Sequence, residues 1–113
     1  MASDLASLVD RITHLVDEPG EDDPDRLLER MEHTLTDGYA HALALEGESI
    51  RIERQIGRAV ALIHEADSTE RLPALANRLA STERELRRLR ELLVALRRRT
   101  ERLRRRTRSQ LAC

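Results

Sequence analysis

The chain has no lysine, no tryptophan and no phenylalanine, and its one aromatic residue is Tyr39. A core built on aromatic packing is therefore excluded. Cys113 is the only cysteine, so no internal disulfide can form, and a single free thiol fits a reducing compartment. Three prolines and four glycines among 113 residues leave little room for a loop-rich fold. No apolar run approaches the length of a membrane span, and no basic stretch leads into an apolar signal segment. A cytoplasmic protein that does not contact membrane is the expectation.

Catalytic signatures are also missing. There is no glycine-rich phosphate loop, no Cys/His cluster, and no serine or cysteine nucleophile set in a motif. The histidines are His14, His33, His41 and His64. Glu29 with His33, and Asp37 with His41, are spaced four apart on a helix, but a bundle metal site needs Glu-x-x-His pairs on facing helices. No such pair occurs. A slender bundle also leaves little space for a concave pocket. The expectation is a non-enzymatic protein with no cofactor and no metal.

What remains is aliphatic and charged. Charged residues make up 36% of the chain, and the apolar residues are almost all Leu, Ile, Val and Ala. That composition belongs to long or coiled helices. All 20 basic residues are arginine. A GC-rich genome accounts for this without a functional cause; selection for phosphate or carboxylate recognition is the alternative. The net charge of -1 conceals an uneven distribution. Residues 1–50 carry 13 acids and 3 arginines, whereas residues 51–113 carry 8 acids and 17 arginines.

Hydrophobic spacing divides the chain. Leu5, Leu8, Val9, Ile12, Leu15 and Val16 draw one stripe on an N-terminal amphipathic helix within residues 1–17, with Ser3 as its N-cap. Residues 18–23 form an acidic linker broken by Pro19 and Gly20. Asp23-Pro24 then starts a second helix over 24–66, with Asp as cap and Pro in the first turn. A heptad seam runs along it through Leu28, Met31, Leu35, Gly38, Ala42, Leu45, Ser49, Ile52, Ile56, Ala59, Ile63 and Ala66.

A second seam, out of phase with the first, runs through Leu72, Leu75, Leu79, Thr82, Leu86, Leu89, Leu93, Leu96, Thr100, Leu103 and Thr107 on a helix over 72–109. Continuing the first seam would bring Glu70 and Pro73 into the core, so one unbroken helix is excluded. The capping residues of 67–71 predict a turn there. The fold expected is all-α: a long antiparallel coiled-coil hairpin over 24–113 behind a short helix. A turn at 67–71 would place Ile63 opposite Leu75, Ile52 opposite Leu86, Ser49 opposite Leu89 and Gly38 opposite Thr100. It would bring Glu46 near Arg90, Glu32 near Arg104 and Tyr39 near Arg97, while Glu48 would lie near Leu92.

Two surfaces are left over. Tyr39, Leu43, Gly47, Ile50 and Gly57 form an apolar, glycine-bearing stripe off the seam, of which the N-terminal helix would reach only as far as about Leu43. This predicts a homodimer in which two hairpins make a four-helix bundle. Arg87, Arg88, Arg98, Arg102, Arg105 and Arg108 fall on outward positions. They either form a solvated face or bind a polyanion such as nucleic acid, though no aromatic residues are available for base stacking. The leading expectation is a scaffold or adaptor that self-associates and binds another protein. The nucleic-acid reading stands second. Cys113 offers a route to cross-linking two chains.

Overall fold

The computed structural model describes residues 2–17 and 23–112. The acidic linker, apart from Asp23, and Cys113 lie outside the described residues. The chain is all-α. Helix α1 spans Ala2–Asp17, α2 spans Pro24–Ala61 and α3 spans Ala66–Ala112, with α2 and α3 forming a helical hairpin. Ser3 lies inside α1 rather than ahead of it. The start of α2 is capped as its sequence requires. The Asp23 carboxylate Oδ1 accepts from the Asp25 N–H at 3.0 Å and from the Arg26 N–H at 3.4 Å.

The reversal comes earlier than the capping residues indicate. Leu62–Glu65 make the turn, and the expected turn residues 67–71 instead belong to the beginning of α3. Backbone bonds close the turn locally: Leu62 N–H to Arg58 O at 3.1 Å, Ile63 N–H to Val60 O at 3.2 Å and Glu65 N–H to Leu62 O at 2.9 Å. These satisfy carbonyls that the end of α2 would otherwise orphan. No described residue has a left-handed backbone, so the turn needs no glycine. Ile63, expected in the seam opposite Leu75, is half-exposed in this turn.

The chain divides into two compact units, Met1–His41 with Leu89–Cys113, and Ala42–Arg88. In the first, α1 joins the beginning of α2 and the end of α3. Its core holds Leu8, Ile12 and Leu15 from α1, Met31 and Leu35 from α2, and Leu89, Leu93, Leu96 and Thr100 from α3. The buried Thr100 hydroxyl donates to Leu96 O at 2.8 Å, so its burial leaves no orphan. Gly38 packs directly on Leu93: a Cβ built at Gly38 collides with Leu93 Cδ2 and comes within 3.4 Å of Cγ. The partner of Gly38 is thus Leu93 rather than Thr100, seven residues earlier on α3.

A slip of one heptad is the smallest that keeps every seam residue in the seam, because the pattern repeats every seven residues. An earlier turn shifts the pairing toward earlier α3 residues, and the heptad sets the size of the step. The second unit has its own core of Ile52, Ala59 and Leu75, with Ile56, Leu72 and Leu79 packed against it. Thr82 and Leu86 are also buried there. All the expected seam positions from Leu28 to Ala59 and from Leu72 to Thr107 are buried or half-buried.

Candidate interaction surfaces

Helix α1 is held by both other helices. Arg11 Nη2 lies 3.4 Å from Asp37 Oδ2 on α2, and Arg99 on α3 donates to the Leu15 carbonyl. Leu15 is in the last turn of α1, where carbonyls lack helical partners and a cation is favoured. The burial that accompanies this docking lies off the hairpin seam. Leu27 and Thr34 are buried seven residues apart on α2, and Leu92 and Arg99 are half-buried seven apart on α3. Each pair occupies the position just before a seam residue, so each continues a helical face. The signal was present in Leu27 and Leu92 but was outweighed by the two seams.

Between α1 and α2 lies a cleft of about 540 Å³, lined by Arg11, His14, Leu15, Arg26, Glu29, Arg30, His33 and Thr34. Its charges are largely internal. Arg11 is held by Asp37, Arg26 Nε lies 3.7 Å from Asp23, and His33 Nε2 lies 3.9 Å from Asp37. Among the described residues, no group of three or more His, Cys, Asp or Glu side chains is placed to hold a metal ion. No helix among them is long and apolar enough to cross a membrane.

The α2 stripe stays open. Leu43 is 69% exposed and Ile50 48% exposed, with half-buried Gly47 between them. Arg51 Nη1, at 3.9 Å, is all that a Cβ at Gly47 would meet, and a Cβ at Gly57 would meet nothing within 4 Å. In the first unit Tyr39 is also exposed, and Arg97, its expected neighbour, is paired with Glu101 at 3.4 Å.

One ion pair is the one that the sequence pattern predicts. In the first unit Arg104 Nη2 meets Glu32 Oε1 at 2.6 Å. In the second, Glu48 sits between Arg51 at 2.6 Å and Arg78 at 3.2 Å. The hydrogen bond from Arg51 is the largest influence on the Glu48 carboxyl and, with the charges of both arginines and the hydrogen bond from Arg78, holds it below the ordinary value of 4.5 against the opposing effect of desolvation.

Six outward arginines are exposed as expected: Arg87 and Arg88 in the second unit, and Arg98, Arg102, Arg105 and Arg108 in the first. None has an ion pair with a described residue. No known protein family, curated protein or solved structure matches the chain.

Proposed function

We propose that this chain is a non-enzymatic helical scaffold or adaptor that works by self-association and by contacts with another protein in the cytoplasm. The uncovered α2 face carries the reading. Two large aliphatic side chains, Leu43 and Ile50, stand in solvent on either side of Gly47, while every seam leucine is at least half-buried. Burying each would contribute about 1–2 kcal/mol. The glycines let another helix approach closely. A second copy of the chain is the simplest occupant, since two-fold pairing uses one patch twice. A pair of coiled-coil hairpins would then share a common core.

Sedimentation equilibrium tests this. The expected mass is twice 13.0 kDa at high micromolar concentration, falling to 13.0 kDa for Leu43→Glu with helicity retained. A wild-type chain that stays at 13.0 kDa would refute self-association.

A second reading rests on the six exposed arginines that have no ion pair with a described residue: electrostatic binding of a polyanion, nucleic acid included. It predicts duplex binding that weakens steeply with salt. Absence of binding at low salt would remove it.

A further inference from the structure

The turn end of the second unit has an unusual make-up. Turns are ordinarily polar, yet Leu62 and Ile63 here are each 51% exposed. Beside them lies a groove of about 530 Å³ between the end of α2 and the start of α3. Leu62 forms one wall, and Leu75 reaches the floor from the core. Three arginines line the groove, Arg58, Arg71 and Arg78, and among the described residues no acidic side chain does. Arg78 is neutralised by Glu48 at 3.2 Å, but Arg58 and Arg71 are exposed and have no ion pair with a described residue. At the edge of the groove the buried Gln55 Oε1 meets no hydrogen-bond donor.

We infer that this groove docks an acidic, leucine-bearing helical segment of a partner protein. The leucines would pack on Leu62 and Leu75, and carboxylates would reach Arg58 and Arg71. Charge complementarity selects this occupant. An anionic membrane is disfavoured because a flat surface would also press on Glu65 and Glu70, both exposed, whereas neither lines the groove that a peptide would fill. The inference gives the adaptor reading a specific partner chemistry and rests on that reading, but not on self-association.

The test uses the full chain and a fluorescein-labelled synthetic peptide of about 16 residues, carrying Leu at helical spacing and Glu elsewhere. Anisotropy should show saturable binding. Combining Arg58→Glu with Arg71→Glu should weaken it by about tenfold or more. Combining Arg84→Glu with Arg106→Glu, the same charge change at exposed arginines that do not line the groove, should leave it within about twofold. Peptide addition should shift the side-chain amide resonances of Gln55. Absence of saturable binding, equal loss in both double variants, or tighter binding to phosphatidylglycerol vesicles than to the peptide would each overturn the proposal. Sedimentation of the same samples separates the two readings: a dimer that ignores the peptide sinks only the groove, and a monomer that binds it sinks only self-association.

Discussion

Replacing Gly38 and Gly57 by alanine should have unlike effects, and the contrast follows from what each added methyl meets. Both glycines lie inside α2, where alanine is favoured over glycine by about 1 kcal/mol. At Gly57 nothing lies within 4 Å of the new Cβ, so that gain stands and Gly57→Ala should stabilise by about 0.5–1 kcal/mol. At Gly38 the methyl collides with Leu93 Cδ2. Leu93 is only 3% exposed and has no solvent to swing into, so relief requires a strained rotamer or a helix shift. Overpacking of this kind costs about 1–3 kcal/mol. Gly38→Ala should therefore range from about neutral to about 2 kcal/mol destabilising. The propensity gain is common to both variants, so they should differ by about 1–3 kcal/mol. Urea unfolding followed by circular dichroism measures this, in a Leu43→Glu background chosen to guard against the proposed self-association and with m unchanged across the series. If Gly38→Ala stabilised as much as Gly57→Ala, Leu93 would not be its neighbour and the observed register would be wrong.

Two further outcomes follow from the charged contacts. Arg99→Ala removes the donor to the Leu15 carbonyl, so α1 should loosen by about 1–3 kcal/mol, read as faster amide exchange in α1 than in the second unit. Glu48 is held below 4.5, so its contribution to stability is present above that value and is lost as pH falls through the lower folded value. An NMR titration of the Glu48 carboxyl should show the depressed midpoint, and Arg51→Gln should raise it toward 4.5.

The seams were legible because burial on a long helix follows a 3–4 spacing, and leucine, isoleucine and alanine mark it without ambiguity. The position of the turn was not. Ser68 and Thr69 are residues that usually begin helices, and they drew the expected turn past its true place. The observed turn, Leu62-Ile63-His64-Glu65, contains no glycine, proline or asparagine and uses no left-handed backbone, so it left no local mark. A periodic seam is equally well filled after a slip of seven residues, and so the sequence pattern does not choose among registers. The choice is made by the turn, and by the fit of a glycine at position 38 against a leucine at position 93. The exposed apolar stripe of α2 was readable because Leu43 and Ile50 break the polar character of an outward face. The groove at the turn was not readable, since it depends on where the chain reverses.

The most direct measurement is a set of NOE contacts from the Gly38 Hα protons, with a mixed-label sample used to separate contacts within one chain from those between copies. Reversal at Leu62–Glu65 predicts intrachain cross-peaks to the Leu93 methyls. Cross-peaks to the Thr100 methyl in their place would contradict it and restore the later turn.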